Sequence, residues 1–271
     1  MIRRNIDRFL ACVTVDLNTQ KDFCDATGSA PVANVATLIP ALRRVIAWIK
    51  RNDVPMVSSV DSHRPSEIAM RGGPHFCVDG TIGQRKVEFT VFPRCTRLEV
   101  DNTFSVPLDL FDSYQQIIFR KRTDDLLSNP KADRFLTQLP AGEFLLFGNA
   151  LESAVKALAL GLLAREKRVS VVHDACGYWS LSSADLALRQ MCAKGARVIT
   201  VDELLARKLP RDHRYSVRRL GVAVINGERR ITVRWPAGRW NGRSNGRLSA
   251  SGRTARIPRS NGQTRPFRAG P

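Results

Sequence analysis

The sequence lacks both a hydrophobic run that could span a bilayer and a cysteine pattern typical of small secreted or zinc-ribbon domains. No stretch approaches the roughly 18 uninterrupted apolar residues of a membrane span. The apolar stretch near the N-terminus is broken by Asp7, Arg8 and Asp16, which argues against a signal peptide. The six cysteines include no Cys-x-x-Cys pair. We therefore expect a cytoplasmic protein with reduced thiols and no membrane partner.

The composition is that of a globular protein with a substantial core. Of the 271 residues, 43% are hydrophobic and 25% are charged. These values exclude wholesale disorder, a collagen-like chain and a coiled coil. The length fits one α/β domain with an appendage.

The net charge of +18 is concentrated near the C-terminus. Residues 208–271 hold 16 of the 43 Lys and Arg but only two of the 25 Asp and Glu. From residue 236 onward there are eight arginines and no acidic residue, mainly among Gly, Ser, Asn and Pro. We predict a domain over residues 1–207 and a disordered Arg-rich tail over residues 236–271, because such a composition buries too little apolar surface to offset chain entropy.

Within residues 1–207, short apolar runs alternate with amphipathic stretches, a pattern typical of a parallel sheet flanked by helices. The predicted helices cover residues 35–51, 151–165, 184–194 and 201–206. The predicted strands cover residues 9–17, 55–60, 116–119, 144–147, 169–172 and 196–200. Because ligands of such sheets bind at the carboxyl ends of the strands, residues 16–23, 61–63, 121–123 and 148–154 are the candidate site segments.

Five sequence motifs, three of them in these segments, follow one another along the predicted domain. They are Asn18-Thr-Gln-Lys-Asp-Phe23, Cys77-Val-Asp-Gly-Thr-Ile-Gly-Gln84, Lys121, Gly148-Asn-Ala-Leu-Glu-Ser-Ala-Val155 and Asp174-Ala-Cys176. The set resembles the isochorismatase-like cysteine hydrolases, which include nicotinamidases, over about residues 9–206. The resemblance implies a three-layer α/β/α fold with a mainly parallel, six-stranded Rossmann-like sheet. It also implies a small-molecule ligand and a homo-oligomer, since relatives tend to assemble.

The resemblance also implies an aspartate, lysine and cysteine triad in the amidases, in which a thiolate attacks an amide carbonyl. The lysine position falls on Lys121. The acid position falls on Asn18 and the nucleophile position on Ala154. Isochorismatases lack the cysteine but use the aspartate. Asn18 in place of that aspartate therefore argues against both the amidase and the isochorismatase reaction. We therefore expect loss of the family reaction, with a role in small-molecule binding or scaffolding.

A hydrolase with replacement groups is the alternative. Asp16 lies two residues before Asn18, so a continuous strand would place both on one face, about 6.6 Å apart. Asp16 is thus a possible substitute acid, and a metal-bound water would replace the thiol in the hydrolysis of small amides or vinyl ethers. Ser153 adjoins Ala154, but one helical step turns a side chain about 100° away.

Nicotinamidases bind a divalent metal beside the nucleophile, and the resemblance implies a ligand set for such a metal in this chain. The resemblance places it at Asp61, His63 and His75, which suit zinc, iron or manganese. His75 stands one residue early, because Phe76 occupies the second family histidine position. The alternative is that Asp61 and His63 only hydrogen-bond loop backbone. Phe23 lines the substrate pocket in this family, or is an ordinary core aromatic.

The C-terminal extension adds two predictions. Alternating β-forming residues around Asn226-Gly227 predict a β-hairpin within residues 208–235. Arginines spaced three to six residues apart in the tail are typical of nonspecific RNA binding, which would involve residues 208–271. The alternative is a terminal extension without a selected role.

Overall fold

The chain divides into two units, residues 1–217 and 218–271. The computed structural model describes residues 8–66, 75–101, 103, 105–209, 214–216, 222–225 and 228–231, and the side chains of residues 10–66, 75–101, 103 and 105–209. In the second unit, Val222–Ile225 (β10) pairs antiparallel with Glu228–Ile231 (β11). The Asn226-Gly227 turn and the predicted tail over 236–271 lie outside the described residues.

Seven parallel strands form the central sheet of the first unit in the order β4-β5-β3-β2-β6-β7-β8. They are β2 (Val13–Leu17), β3 (Met56–Asp61), β4 (Cys95–Leu98), β5 (Gln116–Lys121), β6 (Phe144–Gly148), β7 (Val169–Cys176) and β8 (Arg197–Ile199). Separately, β1 (Arg8–Leu10) pairs antiparallel with β9 (Arg214–Ser216). The α/β class with a parallel sheet is confirmed.

The predicted count of six strands is wrong, because the edge strand β4 was not predicted. Its sequence is Cys-Thr-Arg-Leu, and its side chains are half-buried or exposed. Such a strand produces no apolar run. The predicted first strand over residues 9–17 is two strands in the structure. Its first part pairs with β9 and its second part enters the sheet.

Helices cover both faces of the sheet. They are α1 (Lys21–Cys24), α2 (Val35–Arg51), α3 (Leu110–Ser113), α4 (Pro130–Gln138), α5 (Lys156–Ala164), α6 (Leu181–Ala193) and α7 (Val201–Leu205). A π-helical turn over Leu151–Val155 leads directly into α5. Helix α4 was not predicted, although Asn129 caps it by accepting hydrogen bonds from the backbone of Lys131 and Ala132. Among the described residues, no helix is long and apolar enough to cross a membrane.

Helix α2 shows how the sequence pattern produces this packing. Its bounds match the prediction, and its apolar residues Leu38, Leu42, Val45 and Ile49 recur at helical spacing and are fully buried. Each buried side chain of this size contributes roughly 1.5 to 3 kcal/mol of hydrophobic free energy. The helices therefore hold the sheet rigidly, and the carboxyl ends of its strands become fixed positions for polar side chains.

Candidate functional site

The Asn18 side chain lies at the carboxyl end of β2 and turns toward β3. The strand ends at Leu17, and Asn18 has a φ of 47°, in the left-handed region that asparagine adopts more readily than most residues. Its Nδ2 donates to Asp61 Oδ2 at 2.9 Å. Its Oδ1 accepts from Ser59 Oγ at 2.7 Å. Both ends of the amide are therefore bonded to β3.

A buried ion pair joins the ends of β3 and β5. Asp61 and Lys121 are paired in the sheet register, and Lys121 Nζ bonds Asp61 Oδ1. Nζ also donates to the Thr123 carbonyl at 2.9 Å. The Gln20 amide clamps the Asp61 backbone, donating to its carbonyl at 2.9 Å and accepting from its N–H at 2.7 Å. Burial raises the pKa of Asp61, and the Lys121 ammonium counters part of that effect.

The prediction that Asp16 and Asn18 share a face is wrong. Asp16 Oδ2 accepts from Ser58 Oγ at 3.1 Å, whereas Asn18 bonds Ser59. Consecutive residues of a strand point to opposite faces, so the two side chains lie on opposite sides of the sheet. The physical reason is the positive φ at Asn18, which ends the alternation. Asp16 instead forms a buried ion pair with Lys86 at 2.8 Å.

Ala154 lies in the π-helical turn that follows β6 and is 1% exposed. A methyl group supplies no nucleophile. The thiols of Cys24 and Cys77 lie near the site. Burial raises the pKa of Cys24 to about 12 and also raises that of Cys77. Cys24 Sγ accepts a hydrogen bond from Asn149 Nδ2 at 3.0 Å. Both thiols therefore stay protonated near neutral pH, and a thiol is a poor nucleophile compared with a thiolate.

The proposed metal ligands do not converge in this structure. Among the described residues, no group of three or more His, Cys, Asp or Glu side chains is arranged to hold a metal. Both oxygens of Asp61 are already bonded. The Phe76 ring contacts the edge of His63 with centroids 5.4 Å apart, and His75 is exposed. The donor set as arranged here therefore does not fit a three-ligand metal site.

Phe23 belongs to an aromatic cluster beside the site. Its ring centroid lies 5.3 Å from that of Phe76 and 5.8 Å from that of Trp179. Phe23 itself is 1% exposed, as in a core residue, whereas Trp179 is 42% exposed. The Glu152 carboxylate accepts a hydrogen bond from the backbone N–H of Trp179 at 2.8 Å and so fixes this loop against the turn that carries Ala154. The cluster forms an apolar wall next to the polar network.

Two structural partners were missed by the sequence reasoning. Lys86, which pairs with Asp16, stands in a loop whose sequence shows no periodic pattern. Asn149 connects separate segments by donating to the Asn18 carbonyl at 3.1 Å and to Cys24. Its place inside the Gly148–Val155 motif was a signal, but the sequence does not reveal which segments it would join.

Comparisons with known proteins agree with this architecture. The isochorismatase domain model matches residues 11–203. An isochorismatase-like hydrolase from Alkaliphilus metalliredigens is 18% identical, with a TM-score of 0.58 over 72% of this chain and 97% of that chain. The pyrazinamidase of Pyrococcus horikoshii, solved in complex with zinc, is 21% identical, with a TM-score of 0.56 over 70% and 99% of the two chains.

The nicotinamidase/pyrazinamidase PncA from Bacillus subtilis is 14% identical, with a TM-score of 0.57 over 70% of this chain and 99% of that chain. At these identities the structural matches show the fold. The comparison with curated proteins gives no match. The family model covers well over half of the chain, in the region that holds every motif of the sheet edge. The chain therefore belongs to the isochorismatase domain family.

Proposed function

We propose that this protein binds a small molecule at the carboxyl ends of β2, β3, β5 and β6 without catalysing the hydrolysis typical of its relatives. The observation that carries the proposal is the pair of substitutions at the reactive positions. Asn18 stands at the acid position and Ala154 at the nucleophile position, while Lys121 is retained. A general acid or base needs a titratable group, which an amide is not.

The hydrogen-bond network supports a binding role. The Lys121 charge is balanced by Asp61, and the Asn18 amide bridges Asp61 to Ser59. These groups satisfy one another, so the network is stable without a transferable proton. The half-buried Phe76 ring and the exposed Trp179 ring, both packed on Phe23, supply adjacent apolar surface for a planar ligand.

The hydrolase alternative has less support. It requires Asp16 to reach the ligand, but Asp16 bonds Ser58 and Lys86 on the opposite face. It also requires a metal-bound water, but the Asp61 oxygens are already bonded. A divalent metal, a homo-oligomer and RNA binding through residues 208–271 stay predictions. Metal analysis, light scattering and salt-dependent RNA retention of full-length and truncated protein test them.

The test of the proposal restores the reactive groups. The Asn18→Asp, Ala154→Cys double variant and the wild type are assayed with nicotinamide, pyrazinamide and isochorismate. We expect the wild type to bind at least one of them in calorimetry and to turn over none. The double variant should gain turnover, because a thiolate and its base contribute several orders of magnitude together.

Two controls sharpen the test. Each single variant should stay inactive toward the amides, because the nucleophile and its base act as a unit. Adding Lys121→Met to the double variant should remove the gained turnover. Hydrolysis by the wild type, or absence of binding to any of the three compounds, contradicts the proposal.

A further inference from the structure

The face of the sheet opposite Lys121 carries a cavity of about 680 Å³. Its lining includes Val60 of β3 and both Ile118 and Arg120 of β5. These residues alternate with Asp61 and Lys121 along the same strands, so their side chains point to the other face. The cavity is therefore separate from the site formed by Asn18, Asp61 and Lys121. Its volume is within the range of small-molecule sites.

Cationic side chains dominate the polar part of this lining. They are Arg85, Lys86, Arg97 and Arg120. The two acidic residues of the lining already have partners. Glu99 pairs with Arg120 at 3.0 Å, and Glu88 pairs with Lys21 at 2.7 Å.

The remaining arginines have no such balance. Within the part of the chain that the structure describes, neither Arg85 nor Arg97 forms an ion pair. Glu88 is close enough to Arg85 to interact with it electrostatically, although its carboxylate is bonded to Lys21. With four cationic and two acidic residues, the lining is still positive overall. Guanidinium groups bind carboxylates and phosphates in two-point geometry.

Lys86 is the buried cation of the cavity. The residue is 7% exposed, and its Nζ bonds Asp16 Oδ2 at 2.8 Å and Thr19 Oγ1 at 2.7 Å. An ammonium group has three N–H donors, so one remains for a ligand. Asp16 Oδ1, the other oxygen of this carboxylate, is buried and has no hydrogen-bond partner. The Lys86–Asp16 pair is neutral as a whole, so Lys86 offers a ligand a fixed N–H donor, whose ordering costs no further side-chain entropy.

The rest of the lining is apolar. Phe92 and Ile118 are 1% and 2% exposed, and Val60, Val91 and Leu98 are half-buried beside them. Such surface accommodates an aliphatic or aromatic body. We propose that this cavity binds a small organic anion, with a carboxylate or phosphate held by Arg85, Arg97 and Lys86 and an apolar body against Val60, Phe92 and Ile118.

The test uses benzoate and phenyl phosphate as probes, with benzyl alcohol as the neutral probe and inorganic phosphate as the anion without an apolar body. Titration calorimetry on the full chain should detect one or both organic anions, and stronger binding of one of them identifies the head group. Benzyl alcohol and inorganic phosphate should bind at least about tenfold more weakly, because the first lacks the anionic group and the second lacks the apolar body.

Two variants locate the site. Replacing both surface arginines, Arg85→Ala and Arg97→Ala, should weaken binding at least about tenfold, since each charge-assisted hydrogen bond is worth more than a neutral one. Arg189→Ala, an exposed arginine of α6, is the matched control and should leave affinity unchanged. Leu98→Trp should block binding by filling the cavity.

Methyl NMR separates this proposal from the one for the Lys121 site. The bound probe should shift the methyl signals of Val60 and Ile118 and leave those of Leu151 and Val155, beside Ala154, unchanged. Shifts confined to Leu151 and Val155 would overturn the proposal for this cavity and would support binding at the Lys121 site. Unchanged affinity in the double arginine variant, or no binding of either organic anion at millimolar concentration, also overturns it.

Discussion

The sheet carries a buried aspartate–lysine pair on each of its two faces, and the pairs differ in how completely their carboxylates are bonded. Asp61 and Lys121 are 4% and 0% exposed, and each oxygen of Asp61 has a partner. Asp16 and Lys86 are 0% and 2% exposed, but Asp16 Oδ1 has none. In the first pair, Asn18 donates a hydrogen bond to the remaining oxygen of Asp61, whereas the second pair borders a cavity.

A buried ion pair alone therefore does not identify a reaction centre. Both pairs combine the same residue types at the same depth. The two pairs differ in what surrounds them. The Asn18 amide bonds Asp61 on one face, and a cavity lined by cationic side chains borders Lys86 on the other. The function proposed for each face follows from these surroundings.

The largest expected effect comes from breaking either pair. Lys121→Met and Lys86→Met should each lower the free energy of unfolding by about 3 to 5 kcal/mol, because each leaves a buried carboxylate without its counterion. Urea denaturation measures the change. Combining Lys86→Met with Asp16→Asn should recover part of the loss, since no unpaired charge remains. A loss below about 1 kcal/mol in both single variants would mean that water reaches these pairs.

A smaller effect, dependent on pH, is expected on the Lys121 face alone. In the Asn18→Asp variant the new carboxylate lies against Asp61, and two adjacent carboxylates cannot both ionise easily, so one pKa rises. The native state then binds more protons than the unfolded state above about pH 4, and stability falls as pH increases through the raised pKa.

Near pH 7 the Asn18→Asp loss should be about 1 to 3 kcal/mol, since each unit of pKa shift corresponds to about 1.4 kcal/mol. Thermal unfolding between pH 4 and 8, relative to the wild type at each pH, measures it. The Gln190→Glu variant is the control, because Gln190 is an exposed residue of α6 and a carboxylate added there stays in water. A constant difference across this range would show that Lys121 fully compensates the added charge.

The smallest effect should come from an exposed ion pair. Arg44 of α2 bonds Asp202 of α7, with side chains 50% and 79% exposed. Arg44→Ala should lower stability by no more than about 1 kcal/mol, because solvent and salt screen exposed charges. The same urea measurements apply. An effect as large as that of Lys121→Met would remove burial as the explanation for the first prediction.

The parts of the fold that were predicted well are those with a strong local signal. Helix α2 shows apolar residues at helical spacing over its full length, and its bounds matched. Strand β4 and helix α4 were missed, since the first is a polar edge strand and the second is short. Of the candidate site, the positions of Asn18, Lys121 and Ala154 at one sheet edge followed from the order of strands and motifs.

At the positions that the resemblance assigns to the acid, the lysine and the nucleophile, the amino-acid sequence carries an amide, an ammonium group and a methyl group. Which of these groups meet depends on the fold, because their partners lie on segments that are far apart in the sequence. Strand alternation would place Asn18 with Asp16, but the positive φ at Asn18 turns its side chain to Asp61 instead. Asp61 meets Lys121 because the two are paired in the register of β3 and β5, and Asp16 points to the other face of the sheet, where it meets Lys86. Strand register therefore sets the two ion pairs, and the torsion at Asn18 sets which of them its amide joins. Both are fixed by contacts between segments that are distant in the sequence, not by neighbouring residues.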